Sequence, residues 1–145
     1  MNSLIEDLAR LLRDDAIRRN ISIKLLLAED LPMPQIDPVQ IQQVLLNLAI
    51  NGMEAMTGID GPRFLEIATN AVGTEEIAAS VKDCGPGFPE TIKGRMFEPF
   101  FTTKPEGTGM GLAICRSIIE EHDGRIWAEQ SEQGALFQFV LKVRE

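Results

Sequence analysis

Apolar and polar positions recur along this chain with two periods, and the switches between them outline the elements. In "NSLIEDLARLLRDDAIRRN" the apolar residues Leu4, Ile5, Leu8, Leu11 and Leu12 fall on one helical face, and Ser3 followed by Glu6 has the form of a capping box. "ISIKLLL" reads as a strand, and "AEDLPMPQI", with Pro32 and Pro34, as a loop. Asp37 followed by Pro38 is a helix start: an acid at the N-cap, proline at the first helical position, and Gln40 to complete a second capping box. "FLEIATNAV" and "EEIAASVKD" are two strands joined by a short glycine turn. From Cys84 to Gly107 the chain is irregular and carries four prolines. A helical pattern follows until Asp123 and Gly124 break it, and "RIWAEQ" and "ALFQFVLKV" close as a hairpin. The pattern thus predicts helices over 4–19, 38–56 and 109–122. Two of the connections are hairpins, so a mixed sheet with helices on one face fits better than a doubly wound parallel sheet.

The length of 145 residues fits one domain with one core. A net charge of −8 argues against a nucleic-acid partner, which would need a basic face. No apolar run approaches a membrane span, and the acidic start is unlike a signal peptide. Cys84 and Cys115 follow no metal-ligand spacing, and a reduced, cytosolic chain is the simple reading.

Four stretches carry candidate chemistry. The helix "QIQQVLLNLAINGMEAM" is mostly apolar, yet Gln40, Gln43, Asn47, Asn51 and Glu54 form a polar stripe along one face. Asparagine is a poor helix-interior residue, and carboxamide oxygens are hard, neutral ligands suited to Mg²⁺; a satisfied polar seam is the alternative. "SVKDCGPGF" ends an apolar strand at Asp83, with Gly85 and Gly87 close behind. Such an acid can take a hydrogen bond from an exocyclic amine while the glycines make room for a flat ring, although an ordinary Asp-x-Gly turn has the same sequence. "MFEPFFTTK" places Phe97, Phe100 and Phe101 in an irregular segment, either as a lid over a ligand or as anchors to the core. "KPEGTGMGLAI" puts Gly107, Gly109 and Gly111 directly before a helix, where backbone N–H groups and the helix N-terminus favour an anion. Leu112 follows Gly111, so neither a P-loop nor a Rossmann fingerprint is present.

Amide helix, Asp-x-Gly-x-Gly, Phe-rich segment and Gly-x-Gly-x-Gly helix occur in one order. Together they resemble the catalytic, ATP-binding domain of sensor histidine kinases, within the GHKL superfamily that includes gyrase, heat-shock chaperone and mismatch-repair ATPases. The likeness runs from Ser3 to about Val143, and "NGMEAM" with "FEPFFTTK" looks most like the nitrogen-regulator and oxygen-sensor branch. It implies the Bergerat fold, an α/β two-layer sandwich with three helices on one face of a mixed, mainly antiparallel sheet. It implies ATP and Mg²⁺ as ligands, with Asn51 as the Mg²⁺ ligand and Asn47 beside it in the asparagine box. It implies that Asp83, supported by Gly85 and Gly87, binds the adenine amino group. Phe97, Phe100 and Phe101 fall on the lid, and Lys104 resembles a lid lysine able to approach the terminal phosphate. Gly107, Thr108, Gly109, Gly111 and Leu112 fall on the second glycine box, whose N–H groups hold the phosphates.

The sequence departs from that pattern in three places. Gly52 stands where alanine is usual, Asp123 where glycine is usual, and Ala135 where many relatives carry a threonine. The single histidine, His122 in "IIEEHDGRI", lies at the far end of the third helix, where members of that family often carry a structural histidine. The resemblance therefore implies one catalytic domain over 1–145 whose partners are dimerisation and phosphoacceptor helices and, through them, a response regulator, with a cytoplasmic location and no direct membrane contact. A plain ATPase, a non-catalytic nucleotide module and an anti-sigma-like serine kinase are the competing readings.

Overall fold

The computed structural model describes residues 1–32, 34–99, 101, 111–131 and 134–143. Its elements run α1 (Asn2–Arg18), β1 (Ile21–Leu27), α2 (Pro38–Ala55), β2 (Arg63–Val72), β3 (Glu76–Asp83), a short 3₁₀ turn (Glu90–Ile92), α3 (Gly111–Glu121), β4 (Arg125–Ser131) and β5 (Gly134–Lys142). The sheet order is β1-β2-β3-β5-β4; β1 and β2 pair parallel and every other neighbour antiparallel. The parallel pair needs a crossover, and α2 supplies it.

Alternation decides which face is covered. Leu65, Ile67 and Thr69 of β2, Ile77, Ala79 and Val81 of β3, and Phe137, Phe139 and Leu141 of β5 are all buried, and the register sets them side by side. They meet Ile5, Leu8 and Leu12 of α1, Ile41, Val44, Leu45 and Leu48 of α2, and Cys115, Ile118 and Ile119 of α3 in one core. Three helices thus cover one face of a mixed, mainly antiparallel sheet, and the fold is the expected two-layer sandwich.

The helix starts differ in an informative way. At α2, Asp37 Oδ1 accepts from Val39 N at 3.0 Å and Gln40 N at 3.4 Å, as a capping acid should. The reciprocal bond expected from Gln40 is replaced by His122, whose Nε2 accepts the Asp37 N–H at 3.0 Å. His122 Nδ1 lies 2.8 Å from Ile118 O, so the ring is the Nδ1–H tautomer and clasps the end of α3 to the start of α2. At α1 the box expected from Ser3 and Glu6 is not formed. The helix starts two residues earlier, with Met1 at the N-cap and no side-chain cap. Tertiary bonds win there: Asn2 Nδ2 donates to Ala28 O, while buried Thr69 Oγ1 donates to Asn2 Oδ1 and accepts from Ala28 N.

Candidate functional site

The most unusual group in the core is Asp83, at the end of β3. It is 2% exposed, and with Thr69 it makes up the buried polar residues among those described. Its Oδ1 accepts from Gly85 N at 2.9 Å and from Ala135 N at 3.3 Å. Burial pushes the carboxyl above its ordinary value, and the two backbone N–H groups pull partly the other way.

Backbone crowds in around this acid. A Cβ on Gly52 of α2 would come within 2.8 Å of Leu65 Cδ1 and 3.4 Å of Asp83 Cβ. The departure at Gly52 is thereby accounted for: without a side chain, α2 lies directly against β2 and Asp83. A Cβ on Gly85 would meet Ala55 O at 2.6 Å. Gly87 has φ +77, and a side chain there would run into Gln130 Oε1, the atom that accepts the Phe88 N–H at 3.3 Å. Gln130 of β4 thus pins the loop that follows Asp83, and Gly134 of β5 comes so close that a Cβ would strike Asp83 O. Sequence reasoning missed Gln130 and Gly134. They become visible only once β4 and β5 are known to lie beside β3 and its loop.

The polar stripe on α2 survives as a face. Gln40, Asn47 and Asn51 are half-buried, and Gln43 and Glu54 are exposed. Asn47 neighbours Cys115 of α3, so the stripe borders the α2–α3 contact. Gly111, exposed, is the first residue of α3, and a Cβ there would meet nothing within 4 Å; Leu112 behind it packs partly against the core. Among the described residues, nothing in the packing calls for glycine at 111.

In the aromatic segment Phe97 is an anchor. It is buried, and its ring meets Phe137 edge-on at 6.2 Å, beside buried Phe88 and Met96. Phe101 is partly exposed with the Arg95 guanidinium 4.8 Å from its ring centroid. Phe100, Lys104, Gly107, Thr108 and Gly109 lie outside the described residues. Of the other departures, Asp123 holds φ +58, a conformation that glycine adopts more cheaply. Ala135 contributes its N–H to Asp83 where a threonine would add a hydroxyl. Among the described residues no group of three His, Cys, Asp or Glu side chains is placed to hold a metal ion, and no helix is long and apolar enough to cross a membrane.

Residues 36–145 match the family model described as histidine kinase-, DNA gyrase B-, and HSP90-like ATPase. The chain belongs to this family. Among solved structures it resembles the catalytic domain of the histidine kinase ThkA in a nucleotide-free form, at 39% identity and a TM-score of 0.87, covering 99% of this chain and 92% of that one. The same kinase in complex with the response regulator protein TrrA matches at 34% identity and a TM-score of 0.84, over 99% of this chain and 40% of that one. The sensor histidine kinase TmoS of Ectopseudomonas mendocina is 40% identical over 97% of this chain, which spans 15% of that relative's length. The chain is therefore an ATP-binding catalytic domain of the sensor histidine kinase type.

Proposed function

We propose that residues 1–145 form one catalytic domain that binds Mg-ATP and donates the γ-phosphoryl group to a histidine on a dimerisation and phosphoacceptor helix pair, from which a response regulator receives it. The observation that carries this reading is the burial of Asp83 with Oδ1 already held by two backbone N–H groups. A carboxylate in so dry a place calls for a further donor, and the exocyclic amine of adenine is one, with the close-packed backbone of Gly85 and Gly87 beside it. Asn51, two turns along α2 from Val44, would contribute a carboxamide oxygen to a Mg²⁺ shell completed by water and phosphates. When bound, that ion offsets charge on the phosphate oxygens. Gly107, Thr108, Gly109 and Gly111 would line the phosphates with backbone N–H groups, Lys104 would approach the terminal one, and Phe100 and Phe101 would close over the nucleotide. Cytoplasmic placement goes with these partners.

This reading is tested by calorimetric titration with Mg-ATP, and by transfer of labelled γ-phosphate to a separately supplied phosphoacceptor helix pair. Absence of binding would end it. Asn51→Ala should weaken Mg-ATP about 10- to 100-fold, the scale of a hydrogen bond to a charged group, and leave Mg-free ADP nearly unchanged. Equal losses for both would take Asn51 out of the metal site.

The domain alone is expected to form no phosphohistidine. His122 has both ring nitrogens engaged, one on Ile118 O and one on the Asp37 N–H. Incubation with labelled ATP should leave the chain unlabelled, and acid-labile label on His122 would contradict this.

A further inference from the structure

β1 ends the sheet with one side unpaired. β2 pairs with it along 21–27, and among the described residues no backbone group bonds to its other side. A free edge offers a row of N–H and C=O groups to any extended chain. Between β1 and α1 runs an apolar groove of about 370 Å³. Ile17, Ile21, Ile23 and Leu25 line it, and Ile17 is 63% exposed. No residue of β2 lines the groove, so it opens on the outer side of β1. Arg10 and Arg13 of α1 stand exposed at its rim, and no acid lines it. Arg10 has a surface pair with Asp7, and Arg13 has no ion pair among the described residues. On the other face of the same strand, Lys24 is exposed, with Nζ 4.5 Å from the Phe64 ring centroid and likewise no ion pair. A chain of net charge −8 thus turns three cations, Arg10, Arg13 and Lys24, toward one open edge.

We propose that β1 takes up a further strand from a partner polypeptide, an extended segment that is apolar at alternate positions and acidic at those between. Side chains of a strand alternate between its two faces. The apolar set of the incoming segment enters the groove against Ile17, Ile23 and Leu25. The acids on its other face meet Lys24, and acids flanking it meet Arg10 and Arg13. Main-chain bonds supply affinity in this mode of recognition, and the alternate side chains supply selectivity. A second copy of this chain is a poor occupant. Lys24 is the middle residue of β1, so two such edges joined in register about a two-fold axis would set Lys24 against Lys24.

The probe is an end-blocked peptide of alternating valine and glutamate with glutamate at both ends, titrated into the ¹⁵N-labelled chain. In nuclear magnetic resonance, alternate backbone amides within 21–27 should exchange with water at least about five-fold more slowly at saturation, the scale of one hydrogen bond gained. The same peptide with lysine in place of glutamate should bind at least about ten-fold more weakly, because like charges then face each other. Ile17→Glu and Arg13→Glu, both on the exposed side of α1, should each weaken the glutamate peptide about ten-fold with little change in melting temperature. Equal binding of the two peptides, slowed exchange only outside 21–27, or full affinity in both variants would each overturn the proposal. Sedimentation showing dimers of the chain, with exchange in 21–27 already slowed without peptide, would put a second copy on this edge and overturn it as well.

Discussion

Asn47→Glu should turn a slow hydrolase into a fast one. Hydrolysis requires a group that orients water in line with the γ-phosphorus and takes its proton. In the hydrolytic relatives that the sequence resembles, a glutamate occupies the helix position one turn before the metal asparagine; here that position is Asn47. A carboxamide cannot accept a proton from water near neutral pH, and Gln43, one turn earlier, is equally inert. Glu54 is three residues past Asn51, on the other side of it from Asn47, and exposed. The wild-type chain should therefore bind ATP and hydrolyse it slowly, keeping the phosphoryl group for an incoming imidazole. A carboxylate introduced at the half-buried position 47, beside a buried thiol, would be shifted upward by desolvation, toward the range where a general base works best. Turnover of ATP should rise about 100-fold or more, measured as phosphate release with Mg-ATP affinity checked in parallel. A fast wild-type rate that Asn47→Ala leaves untouched would refute the argument and favour a plain ATPase.

The second large effect sets stability against binding. Asp83→Asn should bind ATP about 100-fold more weakly, and the apo chain should become more stable at neutral pH. Oδ1 already takes two backbone N–H groups, so an asparagine would keep its oxygen there and turn Nδ2 toward the base. Nitrogen donors would then face the adenine amine, and a site with mismatched buried polar groups rejects its ligand strongly. A 6-oxopurine nucleotide, with an acceptor at that position, should lose far less. The stability change follows from the raised carboxyl. Between its ordinary value of 3.8 and its higher value in the fold, the native chain holds more protons than the unfolded one. Stability contributed at Asp83 therefore falls as pH rises through that window and stays low above it. The neutral substitute escapes that loss, so the gain in melting temperature should be largest near pH 7 and vanish below 3.8. An ATP affinity unaltered by Asp83→Asn would remove this acid from the base contact.

The elements were largely legible because burial on one side writes itself into the sequence. β1 runs over the same residues, 21–27, that the apolar pattern marks as a strand. β2 through β5 match their patterns to within a residue, and α2 ends at Ala55 instead of Met56. The reading failed where tertiary bonds compete with local ones. Ser3 and Glu6 look like a cap, but Asn2 is held by Ala28 and Thr69, residues far along the chain. Gln40 looks like the second half of a capping box, but His122 reaches the Asp37 N–H instead. The short 3₁₀ turn at Glu90–Ile92 sits in a stretch read as irregular, where one turn leaves no periodicity to detect. In the site, Asp83 stood out because an acid ended an apolar strand. Gln130 and Gly134 carried no such mark, since their effect is to confine the backbone of another strand. Glycine in a helix interior costs ~1 kcal/mol relative to alanine, and nothing in the sequence marks Gly52 as more than that cost, whereas its absent side chain is what lets α2 lie against Asp83.

The sheet order has a consequence for how the chain is made. During synthesis β3 emerges well before β5, its neighbour on one side. Until β5 arrives, the nascent sheet ends at β3, whose open edge is rich in apolar residues, and such edges invite pairing with other chains. The ribosome must also deliver Ala135 before Asp83 has its second backbone donor. A polypeptide stalled after β4 would carry the amide helix and the acid without that donor, so on the proposed role of Asp83 competence to hold nucleotide arrives with the last strand of the sheet to be translated.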